Sequence, residues 1–287
     1  MSADAAASRI FAPGLLEGQV CIVSGAGTGL GRGIALELAR LGAVVVGCGR
    51  RQEPLGQTAE AAEGLLGSFE HDALDIREDD AVDAFVDGVV ERHGRIDLLV
   101  NNAGGQFMSP AEGITPKGFR TVIELNVQGT WQMTHAVATK ALIPQGGGKV
   151  VSVTLSPHHG MPGMVHSGAA RAAVENMMRT LSVEWSRFGI RLVAVAPGQF
   201  DTETLRTKYP KVIVDNLAGT VPLGRLGTEE EMAWLVAYLA SPAGDFYSGC
   251  VVTIDGARDN WFGSWPPGGT SEGGEPLREA RKPKSGE

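Results

Sequence analysis

Tyrosine is scarce in this chain. Three stand in 287 residues, at positions 209, 238 and 247, so a reaction that relies on a phenol has few places to find one. Cysteine is equally scarce. Cys21, Cys48 and Cys250 each sit in an apolar run (QVCIV, VVVGCG, GCVVTI). An odd, widely spaced set makes neither a disulfide framework nor a zinc site, and it suits buried free thiols in a reducing compartment. No run reaches the length of a membrane span. The opening MSADAAASRI has no cationic segment before an apolar stretch, so no signal peptide is expected. The net charge of -8 argues against a generic nucleic-acid or anionic-membrane binder, while leaving room for a local basic pocket. A cytoplasmic protein with neither kind of partner is expected.

What is present reads as a globular chain, 43% hydrophobic and 20% charged. Short, β-branched apolar runs at 20–25, 43–49, 97–104, 149–154, 190–198 and 250–255, with a weaker one at 68–73, predict strands. Apolar positions at helical spacing predict helices over 30–41, 77–93, 119–142, 165–188 and 229–240. Nearly all-apolar strands alternating with helices imply a parallel sheet covered on both faces, hence a doubly wound α/β fold. Residues 1–14 are expected to be a mobile arm, and 261–287, rich in Gly, Pro and charge, an extended tail. Trp261, Phe262 and Trp265 are candidates to pin the start of that tail.

The first strand runs into SGAGTGLGRG. Gly25, Gly29 and Gly31 fit G-x-x-x-G-x-G rather than G-x-G-x-x-G, with Thr28 and Leu30 in the same turn. Such glycines let the backbone approach a pyrophosphate resting on the next helix N-terminus. A glycine-rich turn without ligand is the alternative, and the position between strand and helix argues against it. The second strand ends in CGRRQE, where a site for an unphosphorylated ribose usually carries an acid. Arg50 and Arg51 stand there instead and suit a 2′-phosphate, with Glu53 as a nearby competitor and two solvated arginines as the plain alternative. NADPH is therefore favoured over NADH.

With these pieces in place, the chain from about 15 to 258 resembles the short-chain dehydrogenase/reductase family. The matching features, in order, are SGAGTGLG, Asp75-Ile76, Asn101-Asn102-Ala103-Gly104, Asn126, and Pro197-Gly198 with Phe200 and Thr202. The final PLGRLGTEEEMAWLVAYLASP…SGCVVTIDGA also fits. The resemblance implies a single Rossmann domain over 15–260 and a homo-oligomer, dimer or tetramer. It implies that Asp75 accepts from the adenine amino group and that Asn102, Ala103 and Gly104 lie along the ribose. It further implies that Asn126 holds a water or the active-site lysine, and that Thr202 binds the nicotinamide carboxamide. Thr202 can equally cap a helix beginning near Glu203.

The family's usual proton donor is a tyrosine, with a lysine four residues on. A free phenol titrates at about 10 and needs that help at neutral pH. Aligned to that segment, VHSGAARAAV puts Ser167 at the tyrosine and Arg171 at the lysine. Arginine can hold the nicotinamide ribose but cannot shuttle a proton. Reducing a ketone requires a good acid. Reducing an α,β-unsaturated thioester requires donors for an enolate oxygen. Asn126, Ser156, Ser167, His158, His159 and His166 are candidates, His166 being equally readable as a plain helix-start residue. The adjacent pair His158-His159 is a poor metal site. GGQFMSPAE, VHSGAARA and PLGRLGTEEEM resemble the family's peroxisomal trans-2-enoyl-CoA reductase and 2,4-dienoyl-CoA reductase branch. The leading expectation is an NADPH-dependent reductase of the C=C bond of an acyl-CoA thioester. The alternatives are an alcohol or carbonyl oxidoreductase of the same fold and an inactive nucleotide-binding module. By family analogy, residues 203–223 cover the substrate, and their Arg206, Lys208 and Lys211 meet phosphates or solvent.

Overall fold

The computed structural model describes residues 7–156 and 158–263. Seven strands, β1 (Val20–Ser24), β2 (Val44–Gly49), β3 (Ser68–Ala73), β4 (Leu98–Asn101), β5 (Gly148–Val153), β6 (Ile190–Pro197) and β7 (Val251–Ile254), form one sheet. Its order is β3-β2-β1-β4-β5-β6-β7, and every pairing is parallel. The helices between are α1 (Gly29–Arg40), α2 (Gln52–Ala62) and α3 (Asp79–His93). Next comes α4, whose segments Pro116–Ile123, Gly129–Val137 and Ile143–Gln145 are joined by π turns at Glu124–Gln128 and Ala138–Leu142. They are followed by α5 (Val165–Glu184), α6 (Glu203–Lys208), α7 (Lys211–Leu217) and α8 (Glu229–Ala240).

Both faces of the sheet are buried. Cys21, Val23, Val45 and Val100 pack with α1 and α8 on one side, and Ile22, Val46, Leu99 and Val150 with α3, α4 and α5 on the other. Double coverage is why the strands read as apolar runs rather than as alternations. Cys21 and Cys48 are buried within the sheet, and burial pushes the Cys48 thiol up to about 12. Cys250 is only partly buried, unlike the expectation for all three.

Three differences from the sequence reading have physical causes. Helix α2 was not expected, because Pro54 and Gly56 interrupt its pattern. The proline falls in the first turn, where a missing N–H costs nothing, and Leu55, Thr58 and Ala62 supply the buried face. Strand β4 stops at Asn101, not 104. There Ser24 Oγ captures the N–H groups of Asn102 and Ala103, at 3.1 and 3.0 Å, and turns the chain out of the sheet. Residues 7–14 lie against the body rather than free: Ser8 donates to Glu37, Arg9 pairs with Glu230, and Phe11 packs on the core. Of the expected tail, Phe262 meets the His159 ring edge-on at 5.2 Å, while Trp265 and residues 1–6 lie outside the described residues. No helix among the described residues is long and apolar enough to cross a membrane.

The strand order reverses between β1 and β4. In such sheets the crevice at the carboxyl ends of those strands is where ligands bind.

Candidate active site

A cavity of about 1120 Å³ opens at that crevice. The turn after β1 forms one end. Gly25 has φ +70° and Gly29 φ +54°, conformations that favour glycine. A Cβ on Gly31 would stand 2.2 Å from Gly25 O and 2.3 Å from Asn102 Nδ2, so the turn closes only with glycine there. Asn102 Nδ2 donates to Ser24 O at 3.0 Å and Gly25 O at 3.3 Å, which ties the turn to β4. Thr28, the N-cap of α1, makes no side-chain cap bond. The first amides of that twelve-residue helix are thus left facing the cavity that Thr28, Gly29, Leu30 and Gly31 line.

Arg50, Arg51, Asp75 and Ile76 line the same end. Glu53 does not, and it accepts from Gln57. Arg77 grips Asp75 through Nε at 2.9 Å and Nη2 at 2.5 Å, and this hydrogen bonding holds the Asp75 carboxyl below its ordinary range. Pro197, Gly198, Phe200 and Thr202 line the cavity from the β6 side. Thr202 Oγ1 accepts from Leu205 N at 3.1 Å, so it caps α6 while its hydroxyl proton stays free.

Arg171 enters the middle of the cavity from α5. It passes so close to Gly104 that a Cβ there would lie 2.4 Å from Nη2. Nη1 donates to Val153 O at 2.9 Å, and Nε is buried without a partner. Burial, with no carboxylate to offset it, pushes the guanidinium down to about 10, which leaves it charged at neutral pH.

The expected oxyanion donors are placed differently. Asn126, in the first π turn and fully buried, donates both Nδ2 protons, to Gly105 O and Val122 O at 2.8 Å each, and accepts from Gly105 N. It clamps the loop after β4 and has nothing left to give a ligand. Ser167 is fully buried, does not line the cavity, and donates to Gln106 Oε1 at 2.6 Å. His166 is fully buried too, accepts from Ser167 N at Nδ1 and meets Phe107 edge-on at 4.3 Å. Ser156 does line the cavity, but its hydroxyl is given to Asp255 at 2.6 Å. His158 and His159 lie outside it, bound to Asp259. Of the expected donors only Ser156 lines the cavity, and the others stand behind its walls or outside it. The walls present Gln106, whose Nε2 makes no hydrogen bond among the described residues, and Arg171.

Comparison with known proteins fits this arrangement. The family model described as "Enoyl-(Acyl carrier protein) reductase" matches residues 25–257. The chain belongs to the short-chain dehydrogenase/reductase family. A probable 2,4-dienoyl-CoA reductase, (2E)-enoyl-CoA-producing, of Bacillus subtilis (strain 168) is 35% identical over 255 residues, 88% of this chain and 100% of that protein. The peroxisomal 2,4-dienoyl-CoA reductase of Rattus norvegicus is 36% identical over 264 residues, covering 90% and 87%. Among solved structures, the citronellol catabolism dehydrogenase AtuB of Pseudomonas aeruginosa PAO1 superposes with a TM-score of 0.78 at 42% identity, over 87% of this chain and 98% of that one. This short-chain dehydrogenase/reductase is an oxidoreductase of the nicotinamide-dependent kind.

Gln106 and Tyr209 are among the cavity residues of this family member that the sequence did not single out. Gln106 lies in the stretch GGQF, and nothing in its neighbourhood separates a loop amide facing solvent from one pinned by Ser167, 61 positions away. Tyr209 falls at the break between α6 and α7. Its one local signal is the Pro210 that follows and forces it into extended backbone, at φ -108° and ψ 146°.

Beside the cavity, His158 bridges two carboxylates. Nδ1 meets Asp259 Oδ2 at 2.5 Å and Nε2 meets Glu175 Oε1 at 3.0 Å. Asp259 also holds His159, and its N–H donates to Asp255. Burial opposes a charge on His158, but the hydrogen bonds and charges of Asp259 and Glu175 outweigh it and raise its pKa above the ordinary histidine value. A raised folded pKa stabilises fully below the unfolded value of about 6.5 and is lost as pH climbs through the folded one. His158→Gln is therefore expected to lower Tm at pH near 6 and to converge on the parent at higher pH. Thermal scans across pH check this, and a constant Tm gap would contradict it.

Proposed function

We propose that this chain reduces the C=C bond of a 2-enoyl or 2,4-dienoyl thioester, in the form of acyl-CoA, with NADPH. The observation that carries the reading is the replacement of a tyrosine–lysine proton relay by two fixed hydrogen-bond donors, Gln106 and Arg171, in the cavity wall. Its support from outside the chain is the dienoyl-CoA reductases among its relatives.

The residues present suit a dinucleotide. The closed glycine turn and uncapped α1 amides take the pyrophosphate. Arg50 and Arg51 take a 2′-phosphate, Asp75 faces the adenine end, and Thr202 offers its hydroxyl proton to the carboxamide. The buried, unpartnered Nε of Arg171 suits a ribose hydroxyl. When bound, the reduced nicotinamide would supply the hydride, to the β-carbon of a 2-enoyl thioester or the δ-carbon of a 2,4-dienoyl one. As charge collects on the thioester oxygen, Gln106 Nε2 and the Arg171 guanidinium hold it. Both are fixed beforehand, by Ser167 and by Val153 O, so they need no reorganisation. Asn126 acts through Gly105 and Ser167 through Gln106, as positioning residues.

The test is NADPH oxidation with trans-2-enoyl-CoA and 2,4-dienoyl-CoA, with the product identified by mass. Saturable activity on a ketone or secondary alcohol, without any on enoyl thioesters, would establish instead the carbonyl–alcohol reading that the AtuB likeness favours. Arg50→Ala together with Arg51→Ala is expected to raise the KM for NADPH about 10- to 100-fold, the equivalent of about one charged hydrogen bond. KM for NADH should stay within a few-fold, and an equal loss on both cofactors would remove the 2′-phosphate assignment.

A further inference from the structure

Conjugate reduction still requires a proton at the α-carbon, and the helix that usually supplies it here carries Ser167 and Arg171. Among the described residues lining the cavity, six have ionisable side chains: Arg50, Arg51, Asp75, Arg171, Lys208 and Tyr209. The three arginines do not release protons. Asp75 is ionised in the grip of Arg77 at the nucleotide end. Two groups are left, and they are adjacent at the end of α6.

We propose that Tyr209 is the proton donor. Its backbone is set by Pro210, which breaks α6 from α7 and leaves the tyrosine on the cavity wall. It is half-buried and makes no hydrogen bond among the described residues. The cavity it lines also takes in the apolar side chains of Met108, Met161, Met164, Ile213 and Leu217. A neutral phenol enters such a site at far lower cost than the strongly hydrated ammonium of Lys208, which is exposed. The other two tyrosines are excluded by place: Tyr238 and Tyr247 stack edge-on at 5.9 Å, and neither lines the cavity.

The step balances. Hydride addition to the β-carbon moves the π electrons onto the thioester oxygen. The Tyr209 O–H bond then breaks, its proton forms the new C–H bond at the α-carbon, and the thioester carbonyl returns. The phenolate is a much weaker base than the enolate, so the transfer is downhill, and it regains its proton from water at the cavity mouth.

This inference rests on the conjugate-reduction reading above, and one experiment separates the two. Tyr209→Phe keeps the ring and removes the proton. We expect kcat on a trans-2-enoyl-CoA to fall about 100-fold or more, with KM and the NADPH Kd within a few-fold and Tm unchanged. Uniform 3-fluorotyrosine labelling should move the alkaline limb of the kcat profile to lower pH in the parent enzyme and leave a Tyr209→Phe enzyme unmoved. A kcat within threefold of the parent, or a Lys208→Met variant that alone loses kcat, overturns Tyr209 while conjugate reduction stands. No turnover of any enoyl thioester by the parent overturns both.

Discussion

Gly31→Ala is expected to abolish dinucleotide binding and to cost stability as well. The added Cβ meets Gly25 O at 2.2 Å and Asn102 Nδ2 at 2.3 Å, and the carbonyl belongs to backbone that cannot swing aside as a flexible side chain would. Relief requires moving the turn off β4, against the Asn102 bonds to Ser24 O and Gly25 O. Overpacking of this kind costs about 1–3 kcal/mol, a Tm loss of roughly 2–5 °C in a chain of this size. The larger effect is on the ligand. A phosphate cradle displaced by an ångström loses on the order of 100-fold in turnover. In thermal scans the parent should gain Tm with NADPH by mass action and the variant should not. A variant that is stabilised as well as the parent would show that the turn does not hold the dinucleotide.

Arg171→Met is expected to separate activity from stability. Losing one preorganised donor to a developing oxyanion costs about 100- to 1000-fold in kcat, and losing the ribose contact proposed for Arg171 should weaken dinucleotide binding in addition. Stability should move the other way or not at all. The guanidinium is buried, no carboxylate neutralises it, and Nε has no partner, so an apolar chain of similar length removes a desolvation cost. The checks are steady-state kinetics, NADPH titration by fluorescence, and Tm. A large drop in Tm would mean that Arg171 serves the fold, through Val153 O, more than it serves the reaction.

How far these features could be read in advance depends on the distance over which each is determined. Strand β3 and helix α8 fall where the residue pattern puts them, because both are set by local signals. In α8 these are a capping box in which Thr228 accepts from Glu231 N and the Glu231 side chain answers to Thr228 N. The glycine turn was legible for the same reason. The working face of the cavity was not. Asn126, Ser167 and His166 are the right residue types in the right stretch, but their partners, Gly105, Gln106 and Phe107, come from the loop just past strand β4, for which the sequence offers no pattern. Hydroxyl and amide groups show their chemistry in the sequence and their direction only in the fold. Tyr209 is hidden for the opposite reason, since it lies 42 positions downstream of Ser167 and only the fold brings it to the cavity that Arg171 enters.

The bond between Ser167 and Gln106 also bears on what the protein can become. Ser167 is fully buried, so a tyrosine reinstated there by one codon change has no room unless Gln106 is displaced. Displacing it removes the amide proposed to hold the thioester oxygen, while Arg171 still stands where the tyrosine's companion lysine would be. Each step alone is a loss. Two residues 61 positions apart are therefore mutually dependent, and neither can be exchanged for a bulkier group without moving the other.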